Sequence, residues 1–148
     1  MKLIPIRQYI SENKELLHNP ECQELVEMSV EFYEKVGYVP PWICYFVEEN
    51  GIIIGSAGIK GPPINDIIEL AYGTMEDYRN QGVGTAICKL LVDLSLKTDP
   101  SVKITARTLP ENKFSCRVLE RNKFTCIGSV EDPDDGEVLE WVYDYWNL

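Results

Sequence analysis

The chain is short of the residues on which much catalytic and metal chemistry depends. It has one histidine, His18, which sits beside Asn19-Pro20 in a loop-like stretch. This speaks against a histidine-based triad and against a multi-histidine metal site. The five cysteines, Cys22, Cys44, Cys88, Cys116 and Cys126, are odd in number and form no C-x-x-C pair. A disulfide framework or zinc site is therefore not expected. Cys88 falls within a helical apolar pattern and reads as core. No apolar run approaches the ~20 residues needed to cross a bilayer, so no membrane partner is expected. Residues 1–7 contain no apolar region of signal-peptide length, and the expected location is the cytoplasm. Basic residues are scarce too, 14 against 24 acidic ones, for a net charge of −10. That disfavours nonspecific nucleic-acid binding, which needs Lys and Arg to neutralise phosphates. It suits a cationic partner, and suits solubility alone equally well.

What is present fits one domain over residues 1–148, with 45% hydrophobic residues and enough chain to bury a core. Residues 2–6 read as a strand, and residues 10–17 and 21–36 as helices. In the second helix Leu25, Met28, Phe32 and Val36 recur at helical spacing, and Gly37 reads as its C-cap. Residues 42–47 and 52–59 read as strands joined by Asn50-Gly51, a strong hairpin signal. Residues 67–75 form the next strand. Residues 81–97 form a helix with Val83, Ile87, Leu90, Leu91 and Leu94 inward. A strand over 102–106, a helix over 111–122 and strands over 124–130 and 138–145 complete the chain. The order β-α-α-β-β-β-α-β-α-β-β predicts an α/β (α+β) domain with a mixed sheet. The aromatic end, Trp141, Tyr143, Tyr145 and Trp146, is left open as core or as a homodimer interface.

The most informative stretch lies between the strand at 67–75 and the helix after it: Tyr78-Arg79-Asn80-Gln81-Gly82-Val83-Gly84-Thr85. A glycine-rich turn opening a helix presents free amides and the positive end of the helix dipole to an anion. Glycine lets the backbone approach where a Cβ would intrude. Several consecutive amides and one cation, Arg79, suit a pyrophosphate. Two familiar phosphate loops do not fit. Gly84 is followed by Thr85-Ala86 rather than Lys-Ser/Thr, and the third glycine of a dinucleotide fingerprint is missing.

The remaining pattern, R-x-x-G-x-G over Arg79, Gly82 and Gly84, resembles the acetyl-coenzyme A loop of the GNAT superfamily of N-acetyltransferases. The segment from Thr108 through Asn112, Ser115, Val118 and Leu119 to Phe124 is similar to that family's T-x-x-x-N-x-x-S-x-x-V-L-x-x-x-G-F stretch. Gly58-Ile59-Lys60-Gly61-Pro62-Pro63 and Glu69-Leu70-Ala71-Tyr72 resemble the subfamily similar to ribosomal-protein N-terminal acetyltransferases. The element order is also that family's. The resemblance implies a GNAT fold, a mixed and mostly antiparallel sheet of about seven strands with four helices. It implies acetyl transfer from acetyl-coenzyme A to a primary amine, on a small molecule or a protein N-terminus, with no metal.

In that frame the cofactor arm would pair with the main chain near Tyr72, Gly73 and Thr74. The pyrophosphate would meet the amides of Asn80, Gln81, Gly82, Val83, Gly84 and Thr85, and Asn112 would contact the arm. Glu69, a carboxylate in an apolar strand, is the candidate base, since burial there would raise its pKa. The family's acid is a tyrosine seven residues after the asparagine, and Leu119 stands there instead. Ser115 is then the candidate for orienting or protonating the sulfur. Lys123 replaces the glycine that follows the helix, so Asn122 is expected to supply the left-handed residue. Trp42 and Tyr45 are candidates for lining the amine acceptor pocket. The residues leave two other readings open: a domain that binds acetyl-coenzyme A without turnover, and an acidic interaction domain with a vestigial loop.

Overall fold

Branched and aromatic residues fix the strands: β1 Lys2–Pro5, β2 Cys44–Glu49, β3 Ile52–Ile59, β4 Ile67–Thr74, β5 Lys103–Thr108, β6 Phe124–Asp132 and β7 Gly136–Tyr143. Three α-helices cover them: α1 Pro20–Val36, α2 Val83–Thr98 and α3 Lys113–Arg121. These come from a computed structural model in which residues 1–143 are described. The sequence-based expectations for Tyr145 and Trp146 lie outside the described residues.

The punctuation residues act as their chemistry dictates. Asn50 and Gly51 both adopt left-handed backbone, φ 52° and 80°, and close the β2–β3 hairpin. Gly37 ends α1 at φ 94° and donates its amide to the Tyr33 carbonyl at 2.8 Å. Residues 10–16 are a correction: they form a 3-10 helix, not an α-helix. The reason is Asn13. Its buried side chain accepts from the Arg7 amide and donates to the Arg7 and Tyr9 carbonyls. This local bonding competes with an i→i+4 ladder.

All seven strands form one sheet in the order β1-β2-β3-β4-β5-β7-β6. Every neighbouring pair is antiparallel except β4 and β5, which run parallel. The sheet is therefore mixed and mostly antiparallel, as expected. Side chains alternate along β2 and show which helix covers which face. Phe46 packs with Val26 and Cys22 of α1, while Tyr45 and Val47 join the larger cluster containing Ile87, Leu91 and Leu119 of α2 and α3. On α1 the buried stripe is Cys22, Val26, Ser29 and Tyr33. The expected stripe of Leu25, Met28 and Phe32 lies beside it, half-buried or exposed. At the sheet's other end, Trp141 and Tyr143 are core.

Candidate active site

The parallel pair is where the sheet opens. β4 and β5 are in register only from Ile67↔Lys103 to Leu70↔Ala106. Beyond that, β5 continues along β7, and β4 continues along β3 to Gly55↔Thr74. One edge of residues 71–74 is thus left without a strand partner. The alternation of main-chain direction tells which groups face that edge. The Glu69 carbonyl accepts from Lys60 and the Met75 amide donates to Ile54, so odd-numbered residues face β3. The N–H and C=O groups of Tyr72 and Thr74 therefore face the gap. Gly73 does not, which corrects the expectation that its main chain would serve there. Its residue pairs with Ser56.

The same stretch holds two buried hydroxyls that have no hydrogen-bond partner among the described residues, Tyr72 Oη and Thr74 Oγ1. Buried polar groups are rarely left unpaired without a reason. Burial above all pushes the Tyr72 hydroxyl pKa up, with neighbouring Cys88 of α2 and Cys116 of α3 adding to it, so it is a protonated donor at neutral pH.

The glycine loop sits at the end of this gap. Gly82 caps α2 in left-handed conformation, φ 77°, and a Cβ there would meet nothing within 4 Å. No side chain caps the helix. The first intrahelical bond is Ala86 N–H to Gly82 O. Among the described residues the amides of Gly82, Val83, Gly84 and Thr85 donate to nothing, an arrangement that can accept an anion. Arg79 is exposed beside it without an ion pair among the described residues, and Asn80 adopts φ 63°. Gly84 has a different task from the one expected. A Cβ on it would lie 3.3 Å from Phe114 Cε1 and Cζ and 3.4 Å from Val118 Cγ2. Its lack of a side chain lets α3 pack against α2. Val83 likewise turns its side chain into the core and offers only its amide.

Glu69 lies on the opposite face, and it is not alone. Its Oε2 is 2.6 Å from Lys60 Nζ, and its Oε1 is 3.9 Å from Arg107 Nε. Arg107 also bonds Asp132 at 3.0 Å and Glu140 at 3.4 Å. Amides of Asp134 and Asp135 together with Arg107 hold the Asp132 carboxyl below the usual carboxylate range, the Asp134 amide contributing most. The expectation of an isolated carboxylate in an apolar strand is thus corrected: Glu69 belongs to an ion-pair cluster that spans β3, β4, β5 and the β6–β7 hairpin. Sequence reading missed Lys60 and Arg107 as its partners. The signal was there only in strand register, which places them on the same face.

Residues 7–125 match the family of the acetyltransferase (GNAT) domain. The chain belongs to the GNAT acetyltransferase family. Solved GNAT folds superpose on nearly its whole length. The aminoglycoside acetyltransferase AAC(6')-Ib, in complex with paromomycin and acetyl-coenzyme A, is 21% identical with a TM-score of 0.69, covering 97% of this chain and 92% of that one. A chimera of the spermidine N-acetyltransferase SpeG from Vibrio cholerae and hSSAT gives 16% and 0.70, covering 96% and 94%. RimL, a ribosomal-protein α-N-acetyltransferase in complex with coenzyme A, gives 16% and 0.69, covering 95% and 97%. No curated protein matches the sequence. At these identities the likeness establishes the fold.

Within this GNAT framework the remaining candidates fall as follows. Asn112 caps α3, its side-chain oxygen accepting from the Ser115 amide at 3.1 Å, while its side-chain nitrogen has no partner among the described residues. Ser115 is half-buried in the first turn of α3. It therefore lies on the α2–α3 face and Glu69 on the other, with the β4–β5 gap between. Leu119 is fully buried core. The left-handed residue after α3 is Lys123 itself, φ 67°, not Asn122. Asn122 instead donates to the Thr85 and Val118 carbonyls and ties α3 to the first turn of α2. Trp42 is 8% exposed and belongs to the core cluster, and the Tyr45 hydroxyl donates to the Pro41 carbonyl at 2.7 Å. Trp42 is therefore set in the core, whereas Tyr45 is among the residues that line a cavity of about 330 Å³, which lies between Leu25, Met28 and Phe32 of α1 and the strand floor of Cys44, Ser56, Gly58 and Ala71. Among the described residues no cluster of His, Cys, Asp or Glu could hold a metal ion, and no helix is long and apolar enough to cross a membrane.

Proposed function

We propose that this chain transfers an acetyl group from acetyl-coenzyme A to a primary amine, the two meeting across the β4–β5 gap. The observation that carries the reading is continuity. The open edge of Tyr72 and Thr74 leads directly to the undonated amides of Gly82, Val83, Gly84 and Thr85. The two hydroxyls without a partner among the described residues, Tyr72 Oη and Thr74 Oγ1, support it, since a bound group could complete their hydrogen bonding. The residues therefore fit the cofactor. Acetyl-coenzyme A would supply an activated thioester carbonyl.

The protein's part follows from the geometry. Main-chain groups of Tyr72 and Thr74 hold a peptide-like arm and polarise a carbonyl as charge develops on it. Amides at the start of α2, with Arg79, hold a pyrophosphate. Glu69 faces the side from which an amine enters and takes its proton directly or through water. In the net reaction an N–C bond forms, the C–S bond breaks, and the amine loses protons as the sulfur leaves as a thiol. With Leu119 at the family's tyrosine position, the donors available to that sulfur are the Tyr72 hydroxyl and Ser115. The charge of −10 supports an amine as the partner rather than nucleic acid.

Leu119 also keeps a second reading in play, a domain that binds acetyl-coenzyme A without turnover. Two measurements decide. Acetyl-coenzyme A at about 100 times Kd should stabilise the fold by roughly 2.7 kcal/mol, or about 5–10 °C in Tm. No shift at millimolar cofactor would remove the cofactor assignment. Thiol release over an amine panel should exceed the amine-free rate, and a shift without any amine-dependent release would establish the binding module instead.

A further inference from the structure

α1 carries two apolar stripes where a covering helix needs one. Cys22, Val26 and Tyr33 are buried. Leu25, Met28 and Phe32, three and four residues apart, make a second stripe that is only partly covered, with Met28 59% exposed. Beneath this stripe the strands present Ser56 and Gly58 of β3, Ala71 of β4 and the Cys44 thiol. Small residues under a large apolar stripe leave room, and the result is the cavity of about 330 Å³. That volume is near the lower end of small-molecule sites, roughly 300–1,000 Å³.

The charge pattern is as informative as the size. Among the described residues Lys60 is the one charged residue lining the cavity. It is paired with Glu69, so the cavity's polar end opens on the Glu69 cluster. That cluster sets three carboxylates, Glu69, Asp132 and Glu140, against two cations, Lys60 and Arg107, for a net charge of −1. One ammonium group is matched there. A second or third inside the cavity would lie against Leu25, Met28 and Phe32, and no carboxylate is among the described residues that line it.

We infer that the acceptor is a small monoamine bearing an apolar group, aryl-alkyl or branched alkyl, that fills the cavity under α1 while its amine meets Glu69. This rests on the acetyl-transfer reading and narrows it. Polyamines and aminoglycosides are then poor substrates, although proteins of this fold act on them.

Steady-state thiol release with acetyl-coenzyme A tests it on a panel of n-alkylamines, 2-phenylethylamine, spermidine, kanamycin and a tetrapeptide with N-terminal phenylalanine. Lengthening an alkylamine should raise kcat/KM by roughly 3- to 4-fold per methylene until the cavity is full. Gly58→Val has room for its first atom, since a Cβ there lies 3.6 Å from Cys44 Sγ and 3.7 Å from the Ala71 carbonyl. It should erase that gain while leaving acetyl-coenzyme A affinity unchanged. Met28→Ser, at the exposed mouth, should weaken it with little effect on folding. A readout independent of turnover is alkylation by N-ethylmaleimide, mapped by peptide mass. 2-Phenylethylamine should slow modification of Cys44 in the cavity and leave exposed Cys126 unaffected.

Protection of Cys44 without turnover on any amine would uphold the pocket and sink acetyl transfer. Efficient turnover of spermidine or kanamycin, indifferent to Gly58→Val, would overturn the inference while acetyl transfer stands. A tetrapeptide preferred over 2-phenylethylamine by an order of magnitude would overturn the small-molecule assignment.

Discussion

Substituting the two loop glycines separates anion binding from helix packing. At Gly84 an added Cβ meets the Phe114 ring and Val118 at 3.3–3.4 Å. Phe114 is a half-exposed side chain and can yield a few tenths of an ångström. Alanine also gains roughly 1 kcal/mol over glycine within a helix. Gly84→Ala should therefore be near neutral. Gly84→Val adds two methyls to the same crowded seam, and overpacking costs about 1–3 kcal/mol, or roughly 2–12 °C in Tm. Phe114→Leu in the Gly84→Val background should restore part of that loss, because the clash is with this ring. Gly82 is the contrasting case. Its Cβ would meet nothing, but φ of 77° costs any L-residue about 1–2 kcal/mol. Gly82→Ala places a methyl beside the undonated amides. Calorimetry should show acetyl-coenzyme A affinity reduced by roughly 10-fold or more, at least 1.4 kcal/mol, in Gly82→Ala and unchanged in Gly84→Ala. If Gly84→Ala loses cofactor binding at an unchanged Tm, Gly84 faces the ligand and the packing argument is wrong. Normal binding by Gly82→Ala would remove the anion cradle.

Three further predictions test other parts of the structure. Lys123→Gly should stabilise the fold by about 1 kcal/mol in urea unfolding, because glycine removes the left-handed penalty at φ 67°. Asp132→Ala should lower stability at neutral pH. Because the Asp132 pKa is depressed when folded, its contribution is present above the ordinary carboxylate range near pH 3.9 and is lost as pH falls through its folded value. The difference from wild type should thus shrink below about pH 4, and a difference that persists there would show that Asp132 acts through packing. Glu69→Gln should lower kcat far more than acetyl-coenzyme A affinity and abolish the acidic limb of the pH–rate profile. An unchanged profile and rate would return Glu69 to a purely structural place between Lys60 and Arg107.

The fold was largely legible because its signals are local. Apolar alternation, the Asn50-Gly51 turn, the Gly37 cap and the glycine loop before α2 each act over a few residues, and spaced motifs at Arg79–Gly84 and Thr108–Phe124 pointed to the family. Where reading failed locally, as over residues 10–16, one buried side chain, Asn13, outcompeted the helical pattern. The site was legible only in part, because its geometry is made by residues distant in sequence. The sequence alone could place Gly82 and Gly84 in one motif. It could not tell that Gly82 leaves backbone open to an anion while Gly84 makes room for Phe114, since that depends on how α3 lies on α2. It could mark Glu69 as a carboxylate in an apolar strand, but Lys60 and Arg107 reach it only through the register of β3, β4 and β5. It could show apolar spacing along α1. Which stripe is core and which walls a cavity was decided by the small side chains of β3 and β4 beneath it, an outcome of packing between elements rather than of any one of them.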